Sequence, residues 1–220
     1  MPRSTAGAVA ASLYTLYLVT DEGLSRGRSQ LAIVQAAIRG GVTIVQYRQK
    51  QASTLRMIEE AGALRRFCRE AGIPFIVNDR IDVALAVGAD GVHVGQEDMP
   101  ASLARRLIGK DMILGVSAGS AAEAQKAVED GADYIGASPV FATPTKPDAP
   151  PPLGREGLRS LCRAVHIPVV AIGGMNAGNA ASMREAGAAG VAVVSAIVAA
   201  DDVESAARAL RAVVEKVGTR

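Results

Sequence analysis

Short runs of β-branched and other apolar residues recur along the chain, separated by stretches whose apolar positions return every three or four residues. Five of these runs follow a glycine directly: Gly40-Gly-Val-Thr-Ile-Val-Gln46, Gly72-Ile-Pro-Phe-Ile-Val-Asn78, Gly88-Ala-Asp-Gly-Val-His-Val94, Gly131-Ala-Asp-Tyr-Ile-Gly136 and Gly187-Ala-Ala-Gly-Val-Ala-Val-Val194. Glycine takes the left-handed conformation that stops a helix, so each reads as a helix turning straight into a strand. Leu16–Thr20, Met112–Val116 and Pro168–Ile172 are similar runs without the glycine and bring the strands to eight. Between them, Leu55–Glu70 is amphipathic, with Leu55, Ile58, Ala61, Leu64 and Phe67 expected on its buried face.

Strict alternation of strand and helix implies a parallel sheet. Eight units in 220 residues, roughly 28 residues each, predict an α/β fold of one kind, a single eight-stranded (β/α) TIM barrel over residues 1–220, with 1–12 as a flexible N-terminal extension. The competing architecture is a doubly wound open sheet. It usually has fewer strands and a glycine-rich turn after the first, where this chain has Thr20-Asp-Glu-Gly-Leu24. The stretch from Ala142 to Leu153 carries five of the ten prolines. Because alternation continues on both sides, it reads as a long loop after the sixth strand and a candidate lid, not as a linker.

Composition narrows the function. With 24 Lys and Arg against 22 Asp and Glu, three Phe, four Tyr and no Trp, the chain has neither a broad basic field nor many stacking platforms, so nucleic acid is not an expected partner. Cys68 and Cys162 fall in predicted helices without metal-ligand spacing and read as reduced, packed thiols. The longest nearly apolar run, Gly187 to Ala200, is 14 residues, short of the roughly 20 that span a bilayer. Arg3 and the uncharged stretch Ser4–Thr20 imitate a secretory signal, but Leu16–Thr20 is needed as the first strand, so a cytoplasmic location is expected.

Catalytic groups of such barrels belong at the C-terminal ends of the strands, and polar residues gather there. In Ile44-Val-Gln-Tyr-Arg-Gln-Lys50, period-two geometry puts Gln46, Arg48 and Lys50 on one face, opposite Val45 and Tyr47. Two cations and an amide in phase suggest an anion site. The third strand ends in Asn78-Asp79-Arg80, and Asp98 lies just past the fourth. Each carboxylate alone could be a helix N-cap; together, beside the cations, they suit Mg²⁺ bridging a phosphorylated substrate. His93 shares the inward parity of Gly91 and Gly95 and is expected to be a packed or hydrogen-bonded interior histidine rather than a catalytic base.

Ser117 ends the fifth strand. Lys146, with Thr143 and Thr145 as hydroxyl donors, brings a mobile charge suited to phosphate from the proline-rich loop. Gly173-Gly174 follows the seventh strand and Val194-Ser195 the eighth, the two loops from which barrels frequently build a phosphate site of backbone amides. These residues describe two anion subsites, one cationic and metal-assisted, one made of backbone amides. An enzyme that joins or rearranges two phosphorylated small molecules fits that description.

Gln46-Tyr-Arg-Gln-Lys50, Val77-Asn-Asp-Arg80, Asp90-Gly-Val-His-Val-Gly-Gln-Glu-Asp98, Gly115-Val-Ser117, Thr143-Pro-Thr-Lys146, Ala171-Ile-Gly-Gly174 and Val191-Ala-Val-Val-Ser195 resemble, in order and spacing, the motifs of the thiamine phosphate synthases (thiamine-phosphate pyrophosphorylases). The resemblance runs from Tyr14 to about Val213. It implies a Mg²⁺-dependent transferase joining 4-amino-5-hydroxymethyl-2-methylpyrimidine diphosphate to 4-methyl-5-(2-hydroxyethyl)thiazole phosphate, or its carboxylated form, through a pyrimidine-stabilised cation. By that resemblance Gln46, Arg48, Lys50, Asn78, Ser117 and Lys146 hold the pyrimidine diphosphate, and Asp79 and Asp98 ligate Mg²⁺. Thr143, Thr145, Gly174, Val194 and Ser195 bind the thiazole phosphate, and Arg48, Lys50, Ser117 and Lys146 serve the chemistry. A homo-oligomer is compatible with it. The family commonly has Gly-x-Gly-Pro after the sixth strand, whereas this chain has Gly136-Ala-Ser138-Pro139. The alternatives are a thiazole tautomerase on the same barrel, a non-catalytic protein binding the thiazole phosphate, and another phosphate-binding isomerase, which would leave Asp79 and Asp98 idle.

Overall fold

A computed structural model of the protein describes residues 13–143 and 151–216. The eight expected strands are present: β1 Leu16–Val19, β2 Ile44–Tyr47, β3 Phe75–Asn78, β4 Gly91–Val94, β5 Ile113–Ala118, β6 Tyr134–Ala137, β7 Val169–Ile172 and β8 Gly190–Val193. Each pairs in parallel with the next, and β8 returns to β1 through Leu16 beside Val191, so the sheet closes into a barrel. The open-sheet alternative is thereby excluded. Helices α1 (Gln30–Arg39), α2 (Thr54–Glu70), α3 (Ile81–Val87), α4 (Ala101–Ile108), α5 (Ala121–Glu129), α6 (Gly154–Ala164) and α7 (Ala180–Glu185) connect successive strands. After β8 come the single turn α8 (Ser195–Val198) and α9 (Val203–Glu215).

The helix starts follow from sequence chemistry. Ser29, Ser53, Ser120 and Asp202 each accept a backbone N–H three residues on, a cap that contributes about 1 kcal/mol. At the helix ends Gly72, Gly88, Gly131 and Gly187 adopt the expected positive φ. The first junction differs: Gly41 carries the positive φ, while Gly40 stays helical and lies where a Cβ would stand 2.5 Å from the Cβ of Ala207 in α9. Helix α2 turns Ala61 and Leu64 inward as expected, with Ile58 and Phe67 partly buried beside them, but not Leu55. Met57, Ala61, Leu64 and Cys68 are buried, and Leu55 is 68% exposed. The spacing of four, three and four residues keeps that stripe on one side, which Leu55, six residues before Ala61, cannot share.

Strand alternation sorts the core into two layers. Leu18, Val45, Tyr47, Val77, Val92, Val116 and Val191 point outward to the helices, in one cluster with Ile33, Leu64, Leu158 and Leu210. Tyr14, Tyr17, Val19, Ile44, Ile76, Tyr134, Val170 and Ala192 fill the inside of the barrel. Tyr134 fits there because β5 has Gly115 opposite it: a Cβ on Gly115 would come within 2.1 Å of the Tyr134 ring. Both cysteines are free thiols, as expected, and burial holds their protons on, pushing Cys68 up to about 12 and Cys162 to about 11. None of the described helices is long and apolar enough to cross a membrane.

Candidate active site

The interior layer stops short of the C-terminal strand ends, leaving a cavity of about 1100 Å³ counted to its open mouth. Gln46, Arg48, Lys50, Asn78, Asp79, His93, Asp98, Ser117, Thr143, Gly174, Val194 and Ser195 all line it. Of the site residues expected from the sequence, Thr145 and Lys146 lie outside the described residues, as does most of the proline-rich stretch expected to form a lid. Ser138 lines the same cavity, so the departure from the family motif falls at the site itself.

One wall carries the charges. Strand β2 ends at Tyr47, short of the run Ile44–Lys50 expected to alternate, so Arg48 and Lys50 stand on the loop beyond it. Both still line the cavity, and Arg48 N–H donates to the hydroxyl of Thr20 just past β1 (3.1 Å), tying this loop to the neighbouring strand's end. The Arg48 guanidinium donates to Asp21 at 3.0 Å and Lys50 to Asp79 at 2.6 Å. Asp79 is one of two non-glycine residues with positive φ, at 59°, among those described. Asparagine and aspartate tolerate this conformation best, and it lets the Asp79 N–H donate to the His93 carbonyl at 2.8 Å.

The N-cap alternative for Asp79 and Asp98 finds no support: the cap positions of α3 and α4 are Arg80 and Pro100, and neither helix has a side-chain cap. Asp98 instead accepts from Gly95 N–H at 2.8 Å. Burial raises the Asp79 pKa; the Lys50 hydrogen bond opposes that, and Asp98 beside it adds to it. The two carboxyl groups are therefore neighbours. Among the described residues no set of three or more His, Cys, Asp and Glu side chains could hold a metal ion. Two adjacent carboxylates fit a hard divalent ion that takes its other ligands from water or phosphate, as Mg²⁺ does, and Lys50 already places positive charge on one of those oxygens.

The opposite wall is made of backbone. Gly173 and Gly174 have φ of 99° and 66°, and a Cβ on Gly174 would lie 2.9 Å from the Ala142 carbonyl oxygen. Asn179 and Asn176 brace this turn through their side-chain amides, which donate to the Gly174 carbonyl at 2.9 and 3.3 Å. Across the seam between β7 and β8, Val194 and Ser195 begin α8. The first N–H groups of any helix have no intrahelical acceptor and favour an anion.

At the floor two residues that strand-end reasoning does not select, Tyr17 and Tyr134, join Gln46, Ser117 and the interior His93. Gln46 donates to the Tyr17 hydroxyl (2.9 Å), Tyr17 meets the Tyr134 hydroxyl (2.8 Å), Tyr134 meets Nδ1 of His93 (2.9 Å), and Nε2 of His93 meets the Ser117 hydroxyl (2.9 Å). His93 is thus buried and hydrogen-bonded as expected, and burial lowers its pKa to about 4, against a weaker opposing pull from Asp98. Asp21 also escaped notice, although its place directly after the first strand is the same signal that selected Asp79. Tyr17 and Tyr134 were discoverable from inward parity alone.

A parallel (β/α)₈ barrel with one polar cavity at the C-terminal strand ends defines the class, a barrel enzyme of the kind that binds small ligands in its mouth. The chain belongs to the thiamine monophosphate synthase family, whose model matches residues 16–197. It is 65% identical over 201 residues to the thiamine-phosphate synthase of Chloroflexus aurantiacus, covering 91% of this chain and 93% of that one. It is 50% identical over 203 residues to that of Syntrophomonas wolfei, covering 92% and 97%. Among solved structures, the thiamine phosphate pyrophosphorylase from Pyrococcus furiosus superposes with a TM-score of 0.88 at 44% identity, covering 94% of this chain and 98% of that one. The protein is therefore an enzyme, a transferase of a family that releases pyrophosphate.

Proposed function

We propose that the protein condenses 4-amino-5-hydroxymethyl-2-methylpyrimidine diphosphate with 4-methyl-5-(2-hydroxyethyl)thiazole phosphate, or its carboxylated form, to give thiamine phosphate and pyrophosphate. The observation that carries this reading is the union, in one cavity, of a wall of cations and paired carboxylates with a wall of glycine and helix-start backbone. A diphosphate leaving group calls for the first and a phosphate monoester for the second.

On this reading Gln46, Arg48, Lys50, Asn78 and Ser117, with Lys146, hold the pyrimidine diphosphate. Thr143, Gly174, Val194 and Ser195, with Thr145, hold the thiazole phosphate. Asp79 and Asp98 are the candidate Mg²⁺ ligands, and the ion, when bound, supplies charge neutralisation on the pyrophosphate. The bond from the methylene carbon to the diphosphate oxygen breaks with its electron pair left on pyrophosphate. The thiazole nitrogen then donates its lone pair to the resulting cation and becomes quaternary; a carboxylated thiazole also loses carbon dioxide. No step requires a side chain to remove a proton from carbon. The work of Arg48, Lys50, Lys146 and Ser117 is to stabilise negative charge as it develops on the leaving group in a cavity closed at its base. Lys50 meets that demand by passing from Asp79 to a phosphate oxygen.

A coupled assay tests the reading: purified protein with both substrates, with and without Mg²⁺, following thiamine phosphate and pyrophosphate. Mg²⁺-dependent formation of both products is expected. Turnover of a thiazole tautomer without the pyrimidine would replace the reading by tautomerase, and thiazole phosphate binding with no product would leave a binding protein.

A further inference from the structure

The five groups on the cavity floor come from five strands. Gln46 is on β2, Tyr17 on β1, Tyr134 on β6, His93 on β4 and Ser117 on β5, so the hydrogen bonds cross the barrel interior. Tyr17 and Tyr134 are 1% exposed and His93 9%. A buried hydroxyl must both accept and donate within its surroundings, and that requirement gives the row a direction. The Gln46 atom facing Tyr17 is the amide nitrogen Nε2, which can only donate. The Tyr17 oxygen is thus an acceptor on that side, and its own hydrogen is directed to the Tyr134 oxygen. Tyr134, receiving that bond, sends its hydrogen to Nδ1 of His93. With Nδ1 an acceptor, the imidazole is neutral and carries its proton on Nε2. Nε2–H then donates to Ser117 Oγ.

We propose that Tyr17, Tyr134 and His93 act together as a positioning relay that fills the acceptor side of Ser117 and so commits the Ser117 hydroxyl to donate into the cavity. The recipient is an anionic phosphate oxygen of the diphosphate substrate. This rests on the proposed assignment of Ser117 to that substrate. In this arrangement no proton is transferred along the row; each hydrogen stays on its own atom and only its orientation is set. The packing supports a fixed geometry. The rings of Tyr134 and Tyr17 lie 5.9 Å apart and those of Tyr134 and His93 5.5 Å. A Cβ on Gly136 would stand 3.0 Å from His93 Cε1, so the imidazole packs directly over bare glycine backbone on β6.

The direction can be read without substrate. The chain has two histidines, and His166 is exposed on the surface. Long-range proton–nitrogen correlation spectra of ¹⁵N-labelled protein at neutral pH therefore yield two resolvable imidazoles, the exposed one serving as reference. The expected result is a neutral His93 protonated on Nε2. Protonation on Nδ1 means that the row runs from Ser117 toward Gln46 and overturns the proposal, as does an imidazolium.

The second arm is a double-mutant cycle. Tyr134→Phe keeps the ring and removes the hydrogen on Nδ1; it is expected to lower kcat by about tenfold, the scale of one neutral hydrogen bond, with KM for the thiazole phosphate unchanged. Ser117→Ala is expected to cost at least as much, and the double variant no more than Ser117→Ala alone. Losses that multiply would show that Tyr134 acts by another route, and the relay would be abandoned. If Tyr134→Phe does not fold, the tautomer of the unaltered protein decides. If that protein shows the Nε2–H tautomer but no synthase turnover, the relay's direction stands and its assignment to this substrate falls with the proposed function.

Discussion

On the proposed reading the two walls of the cavity meet the same kind of ligand by opposite means. On the β2 to β4 side the groups are long side chains, and each cation already has an internal partner: Asp21 for Arg48 and Asp79 for Lys50. A diphosphate entering there exchanges partners, and the binding energy is a difference between two ion pairs. On the β7 to β8 side the groups are backbone, braced by Asn176 and Asn179 and held in conformations that glycine alone adopts without strain. On that reading a phosphate arriving there meets backbone N–H groups in place of a side-chain ion pair. The first wall is suited to charge that changes during a reaction, because its partners can be traded. The second is suited to a charge that only has to be held.

The largest test of this contrast is Asp98→Ala. It removes one of the paired carboxylates and is expected to lower Mg²⁺-dependent turnover by about 10²-fold or more, the scale of a lost electrostatic stabiliser. Thiazole phosphate affinity, measured by calorimetry, should remain within about twofold, since contributions from separate sites add. A folded Asp98→Ala protein that no longer binds the thiazole phosphate would refute the independence of the walls.

The floor between the walls gives a pH dependence. His93 titrates near 4 when folded and near its ordinary 6.5 when unfolded. Below 6.5 the unfolded chain takes up a proton that the folded barrel refuses. Stability is thus complete above 6.5 and declines on acidification, by up to about 3 kcal/mol once pH passes 4. Denaturant unfolding at several pH values checks this, with His93→Gln expected to remove that part of the slope.

Gly174→Ala tests the backbone wall. Its positive φ and the 2.9 Å approach to the Ala142 carbonyl penalise any Cβ, so stability should fall by about 1–2 kcal/mol. KM for the thiazole phosphate should rise by about tenfold, one hydrogen bond to a charged group, with KM for the pyrimidine diphosphate little changed. The smallest effect belongs to Asp21→Asn. Releasing Arg48 from its partner is expected to lower KM for the pyrimidine diphosphate by about threefold, within the range of a partly exposed ion pair, and a rise instead would make Asp21 an orienting group for Arg48.

How far each feature could be read from sequence follows from how local its cause is. Five of the eight strands were legible because a helix-stopping glycine and a β-branched run are adjacent in the chain, and the other three because the same kind of apolar run recurs without the glycine. The candidate residues at strand ends were legible for a related reason, since period-two parity decides which side chains reach the cavity. Leu55 was misassigned because the buried stripe of α2 is set by what the helix packs against, and an apolar residue at its first turn can as well face solvent. The partnering of Lys50 with Asp79, and of Arg48 with Asp21, depends on the pairing of β2 with β3 and of β1 with β2, which leaves no mark within either segment. The tyrosine and histidine row is less visible still: five residues on five strands become one object only inside the closed barrel.

Among the described residues, the plug of Tyr14, Tyr17 and Tyr134, with the rings of Tyr14 and Tyr17 4.8 and 5.9 Å from that of Tyr134, closes the barrel interior beneath the cavity. On the proposed reading both substrates use the same mouth, and if one seats deeper against the plug it enters before the other and leaves after it, an order that neither wall encodes by its affinity.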